Sequence, residues 1–166
     1  MEHPKRIGDR TTLAVMAALE LAGYTLSLPF GENTRYDLVI DDGRQLWRVQ
    51  CKTGRLREGA VRFPACSSYA HHANPRFTQR DYLGEIDAFA VYCPETTAVY
   101  LVPICDVMLR RQGALRVDMP RNHQQRKIRF ASDYEIGRVS TAVPVLQDSR
   151  SSSGATAPSA TPRIST

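Results

Sequence analysis

Apolar and polar positions along the chain fall into short blocks, and the blocks differ in period. Residues 9–22 set alanine, leucine, valine and methionine at helical spacing, with Gly23 just beyond them. Good helix formers ended by a glycine predict a helix, with Leu13, Met16 and Ala17 on its apolar face. Residues 1–8 read as a basic lead-in. Two β-prone runs, 38–40 and 46–49, flank Asp42-Gly43. An Asp-Gly pair between such runs predicts a hairpin. An even-length turn centred on that pair sets Asp37 opposite Arg48. Side chains alternate across a strand, so Asp37, Arg48, Gln50 and Lys52 then share one face. Leu38, Ile40, Trp47, Val49 and Cys51 share the other.

Further strands are predicted over 24–28, 60–63, 86–92, 99–102 and 128–130, where apolar and aromatic residues cluster between prolines and glycines. A short helix is predicted over 106–111, stopped near Gly113. Residues 53–59 read as a basic, glycine-punctuated loop and 64–80 as irregular. From 144 onwards serine, threonine, alanine and proline dominate, which predicts a disordered tail behind one domain over 1–143.

The chain has 166 residues, enough for a real core, and a formal net charge of +5. Its basic balance favours a polyanionic partner. No stretch approaches the ~18 apolar residues of a membrane span, and no membrane role is expected. Cys51, Cys66, Cys93 and Cys105 form no CxxC pair, and Met-Glu-His-Pro-Lys-Arg lacks the apolar run expected of a signal peptide. A cytoplasmic protein with reduced thiols is the expectation. Cys66 with His71 and His72 matches no standard zinc spacing.

The chemistry lies in the hairpin. A carboxylate (Asp37), an amide (Gln50) and an ammonium (Lys52) at one end of it suit metal-assisted hydrolysis of a phosphodiester. Mg²⁺ prefers oxygen ligands. Asp37, the amide oxygen of Gln50 and the backbone carbonyl of Cys51 would supply them, and Lys52 would stabilise developing negative charge. A further acid is expected from the first helix. Asp9 and Glu20 stand roughly 16 Å apart along it at ~1.5 Å per residue, so only one of them can serve. Asp9 opens that helix, where it would equally suit an N-cap.

Asp37, a turn and Gln50-Cys51-Lys52 resemble the core of the PD-(D/E)XK nuclease superfamily, with glutamine in place of the second acid. Ile7-Gly8-Asp9, Pro29-Phe30-Gly31-Glu32-Asn33, Tyr36-Asp37-Leu38, Ile86-Asp87-Ala88-Phe89 and Tyr100-Leu101-Val102-Pro103 resemble its group I intron-associated, homing-type branch. The resemblance implies an α/β, restriction-endonuclease-like core, a mixed central sheet of about four or five strands flanked by helices. It implies cleavage of double-stranded DNA with Mg²⁺, Mn²⁺ substituting, by a homo-oligomer (dimer or tetramer). Asp37 would be the metal ligand, Gln50 the residue at the (D/E) position, Lys52 the catalytic lysine and Asp9 the helix acid. The proline of the motif is replaced by Tyr36. For DNA contact the candidates are Arg55 and Arg57, and Arg121, Gln124, Arg126 and Lys127 in a stretch rich in base-reading side chains. Two other readings stand beside this one: a non-catalytic DNA-binding protein on a decayed nuclease fold, and a restriction- or repair-type nuclease acting on another DNA substrate.

Overall fold

A computed structural model describes residues 3–31, 33–69, 78–107, 111–119 and 128–139. The first element is α1 (Pro4–Leu21), which starts five residues earlier than its apolar pattern suggests. Pro4 has φ already suited to a first turn and loses no hydrogen bond there. His3 is the cap, its Nδ1 accepting from the Lys5 N–H at 3.3 Å. Asp9 therefore lies inside the helix and is not its N-cap. At the other end Gly23 sits at φ 90°. The Tyr24 and Gly23 N–H groups return to the Leu19 and Glu20 carbonyls, closing a Schellman motif.

The buried stripe of α1 is Thr11, Ala14, Val15, Ala18 and Leu19, whereas Leu13 is 66% exposed. The predicted face is therefore corrected by a rotation about the helix axis. Small alanines let the helix lie close on a sheet, and close packing rather than residue size selects the inward face.

The strands follow as β1 (Thr25–Ser27), β2 (Leu38–Asp41), β3 (Leu46–Thr53), β4 (Arg55–Arg57), β5 (Ala60–Pro64), β6 (Ser67–Tyr69), β7 (Thr78–Arg80), β8 (Ala88–Cys93), β9 (Ala98–Pro103), β10 (Gln112–Arg116) and β11 (Glu135–Arg138). The central sheet has six strands in the order β1-β2-β3-β8-β9-β11. Only β3 and β8 are parallel; the other neighbours are antiparallel. This is the mixed α/β core expected, with one more strand than the upper count. Its flanks differ from the expectation: among the described residues α1 is the one α-helix, and it covers one face. The other face is covered by a three-stranded sheet, β10-β5-β4.

β8 is buried along its whole length and feeds both layers. Ala88, Ala90 and Tyr92 pack with Val15, Leu19, Leu38 and Val49 on the α1 side. Phe89 and Val91 pack with Val61, Phe63 and Leu115 under the small sheet.

Several predictions of local structure are overturned. The 53–59 loop contains β4, and Glu58-Gly59, both at positive φ (51° and 71°), make a tight turn into β5. That geometry matches the twist of paired strands. Residues 64–80 hold the paired strands β6 and β7, with 70–77 outside the described residues. The 106–111 helix is a 3-10 turn at Ile104–Asp106, with 108–110 not described, and β10 follows. Gly113 lies within β10 because a Cβ there would stand 2.2 Å from Phe63 Cζ. Residues 128–130 contribute a single bridge, Phe130 to Arg116, in place of a strand. The predicted tail lies outside the described residues.

Candidate active site

The hairpin positions the site. Its register pairs Leu38 with Val49, Val39 with Arg48 and Ile40 with Trp47. Continued by one residue, this sets Asp37 opposite Gln50, two places from the partner the sequence suggested. The shift is even, so the faces are as predicted and only the partner changes. Asp42 causes it. Its Oδ1 accepts from the Arg44 and Gln45 N–H groups, each at 2.9 Å, and its Oδ2 from Trp47 Nε1 at 2.9 Å. An aspartate that caps its own turn moves the loop centre towards the C-terminus.

Asp37 stands just ahead of β2. Its N–H donates to the Val49 carbonyl at 2.9 Å. Its Oδ2 accepts from the Cys51 N–H at 2.8 Å and from Gln50 Nε2 at 2.5 Å. The carboxylate thus takes the place of a backbone acceptor in the β2–β3 ladder. Burial pushes the Asp37 carboxyl above its ordinary value; the Cys51 N–H, the Lys52 charge and the Gln50 amide oppose this. The negative charge is incompletely compensated by the protein.

Gln50 Nε2 also lies 3.4 Å from the Cys51 carbonyl. Asp37 Oδ2 and the Cys51 carbonyl both accept only, so the amide presents its NH₂ between them. Turned over, the same amide would bring a third oxygen to that point. Two fixed oxygens, one of them from an under-compensated carboxylate, and the amide oxygen that this turn would add suit a hard divalent cation.

Gln50 and Lys52 lie in register with Phe89 and Val91, on the face of the central sheet turned towards the small sheet. Lys52 Nζ donates to Tyr82 Oη at 2.8 Å and stands 4.7 Å from that ring's centroid. Tyr82 is 4% exposed and meets Phe89 edge-on at 5.5 Å. The Arg35 guanidinium carbon lies 4.2 Å from the Tyr82 centroid. Arg35 is itself paired with Glu85 at 2.6 Å and donates to Ser67 Oγ at 2.9 Å. Glu85 also pairs with Arg80. Neither Tyr82 nor Arg35 was found from the sequence. The only local signal is the turn that presents Tyr82, in which Asp81 accepts from the Leu83 N–H and Gly84 sits at φ 75°.

Asp87 mirrors Asp37 on the other edge of β3. Its Oδ2 accepts from the Arg48 N–H at 2.7 Å, and its two oxygens grip the Arg48 guanidinium. That charge-assisted pairing holds the Asp87 carboxyl below the usual range.

The helix acids are placed differently. Thr11 Oγ1 and Thr53 Oγ1 are 2.6 Å apart, which ties the N-terminal half of α1 to the end of β3. Asp9 and Glu20 are both exposed, Asp9 on the solvent-facing stripe of Leu13. Asp9 makes no hydrogen bond to Asp37, Gln50 or Lys52 among the described residues. Among those residues, no three His, Cys, Asp or Glu side chains gather as a metal site.

Arg55 and Arg57 are exposed on β4. Arg121, Gln124, Arg126 and Lys127 lie outside the described residues, as do His71 and His72. The four cysteines form no disulfide, and Cys51 and Cys93 are buried.

Comparison with known proteins meets this geometry. No curated protein matches the chain. A solved structure titled as that of a bacterial homing endonuclease, I-Ssp6803I, superposes with a TM-score of 0.62 at 24% identity, covering 81% of this chain and 89% of that one. At that identity it speaks for the fold alone. The sequence itself matches the family described as PD-(D/E)XK endonuclease over residues 2–137, a span that includes α1, the hairpin and the central sheet, and the chain belongs to that family.

Proposed function

We propose that this PD-(D/E)XK endonuclease is Mg²⁺-dependent, with Mn²⁺ as a substitute, and hydrolyses phosphodiester bonds of double-stranded DNA in the manner of a homing-type or related enzyme. The observation that carries the reading is the convergence of Asp37, Gln50 and the Cys51 carbonyl beside a lysine held by a buried tyrosine. A divalent cation bound there supplies positive charge for the phosphate and a more acidic water. Asp37 Oδ2, the Cys51 carbonyl and, with its amide turned over, Gln50 Oε1 would hold the ion. Lys52 lies on the same face of β3 as Gln50, where its ammonium orients the attacking water or offsets charge growing on the phosphate. Arg55 and Arg57 contact backbone phosphates. Of the two helix acids Asp9 is the candidate in preference to Glu20, since the Thr11–Thr53 contact ties its half of α1 to the end of β3; its exposed carboxylate stands off Asp37, Gln50 and Lys52 and would have to be brought to them when DNA and metal bind.

The test is cleavage of duplex DNA with Mg²⁺ or Mn²⁺ by wild type, Asp37→Asn and Lys52→Ala. Both substitutions should lower the rate by at least ~100-fold, the scale of one lost electrostatic partner, and Lys52→Ala should still bind the duplex. Equal cutting by all three would sink the site assignment. A binding protein without catalysis is the second reading, favoured by the single carboxylate at the centre. It predicts duplex binding by all three proteins and cutting by none.

A further inference from the structure

The outer face of the small sheet plays no part in the chemistry above, yet it is built from particular side chains. The inner face of β10-β5-β4 is apolar, with Val61, Phe63 and Leu115 buried against β8. On the outer face, register places Arg55, Arg62 and Ala114 in one row across the three strands, with Gln112 opposite Pro64 in the next. Arg55, Arg57, Gln112 and Ala114 are exposed and Arg62 is half-buried. The face opens into a cavity of about 790 Å³ lined by Thr53, Arg55, Arg57, Glu58, Arg62 and Gln112. Arg62 donates to Glu58 at 2.7 Å, while its buried Nε has no partner among the described residues.

We infer that this face reads base edges in the major groove of duplex DNA, with Arg62 and Gln112 as specificity-determining residues. The inference rests on the DNA endonuclease reading. Size and chemistry select the partner. Three strands ~4.8 Å apart span ~10 Å, which enters a major groove ~12 Å wide and is excluded from a minor groove ~6 Å wide. Arginine suits the paired acceptors of guanine, glutamine the donor–acceptor pair of adenine, and an exposed alanine methyl the thymine methyl. Arg55 and Arg57, on the edge strand, face the phosphates. Arg116 plays no reading part. Its guanidinium is bonded to the Glu58 and Asp118 carbonyls and fixes the β4–β5 turn. Arg55 follows Lys52 by three residues, ~11 Å of extended chain at most, so the bases read lie close to the bond that is cut. Glu58 and Glu95, paired with Arg62 and Arg55, hold the face closed to indiscriminate anions until a matched duplex displaces them.

The experiment selects bound duplexes from a random-sequence library, using the full chain with Ca²⁺ in place of Mg²⁺. Wild type is compared with Arg62→Ala, Arg62→Lys and Gln112→Ala. Wild type should enrich a motif. Arg62→Ala and Gln112→Ala should each lose preference at separate positions, with affinity for the motif falling about 5- to 100-fold. Arg62→Lys should lose the preference too while keeping the salt dependence, since it retains the charge but not the bidentate fork. Arg55→Ala should instead weaken all sequences alike and flatten the salt slope. Unchanged thermal transitions confirm that the variants fold. If all three substitutions at 62 and 112 leave the motif and its strength as in wild type, the inference falls while the endonuclease reading stands. Equal competition by duplex RNA overturns it as well, because a sheet cannot enter the narrow A-form major groove. If wild type neither enriches a motif nor binds duplex DNA, both readings fall together.

Discussion

Asp37 is a carboxylate that the fold holds at a cost. Burial raises its pKa, against which stand one backbone N–H, the neighbouring lysine charge and one amide. A raised acid binds protons more readily folded than unfolded, so its contribution lowers stability as the pH rises through and above its titration range. Removing the charge should therefore stabilise the metal-free protein. Asn at this position keeps an oxygen for the Cys51 N–H and the Gln50 amide. Asp37→Asn should accordingly melt at a higher temperature than wild type in EDTA, by calorimetry at neutral pH. Added Mg²⁺ should reverse the order, stabilising wild type by about 2.7 kcal/mol at a hundredfold excess over Kd and leaving the variant unchanged. A lower transition for Asp37→Asn in EDTA would show that the charge is already well compensated. The faces of Asp37, Gln50 and Lys52 were legible in the sequence because strand periodicity is insensitive to a two-residue shift. The partner of Asp37 was not, because it depends on side-chain caps within the turn. Tyr82 was invisible for a related reason: it reaches Lys52 across 30 positions of the chain, and no local pattern encodes that contact.

At the level of elements, β3 is secured on both edges by aspartates, and Asp87 is the one that binds the parallel partner. Its carboxyl is depressed by Arg48, so the stabilisation is fully present above the ordinary aspartate range near 3.8 and is lost as the pH falls through the lower folded value. Asp87→Asn should cost roughly 1–3 kcal/mol at pH 7, the scale of hydrogen bonds to charged groups, reduced by the partial exposure of the pair. In denaturant titrations the gap between the two proteins should close below about pH 4; a gap that persists at pH 2 would exclude this origin. β10 rests on a glycine for space. Gly113→Val drives a branched side chain into the Phe63 ring, and overpacking of about 1–3 kcal/mol is expected in the same titrations. β8 and β9 were legible as long apolar runs of β-prone residues. β4, β10 and β11 were missed because they are short, rich in arginine and glycine, and stabilised by partners distant in sequence. α1 was found, but its inward face was misjudged because alanine has little hydrophobic weight and much steric value.

For the whole molecule, the described residues hold one Asp37 centre per chain, and a duplex has two strands to cut. On the proposed double-strand cleavage, two copies on one DNA are the expected assembly. Sedimentation of the protein on a Ca²⁺-trapped duplex should give at least two chains per DNA; a single chain per duplex that nonetheless cuts both strands would overturn the assembly reading. The central sheet carries Gln50 and Lys52 and positions Asp37, and the small sheet is joined to it at Gly54, whose N–H donates to the Tyr92 carbonyl at 2.8 Å and whose missing Cβ leaves room for Val61 and Val91. That arrangement bears on how such a protein diverges. In β5 and β10 Val61, Phe63, Gly113 and Leu115 are fixed by the core, and Arg62, Gln112 and Ala114 alternate with them on the outward side. Descendants of one ancestor can therefore exchange Arg62, Gln112 or Ala114 without disturbing Val61, Phe63 or Leu115. Relatives should then alternate along these two strands, a constant position followed by a changeable one, and on the base-reading inference their target preferences should differ while Asp37, Gln50 and Lys52 are kept.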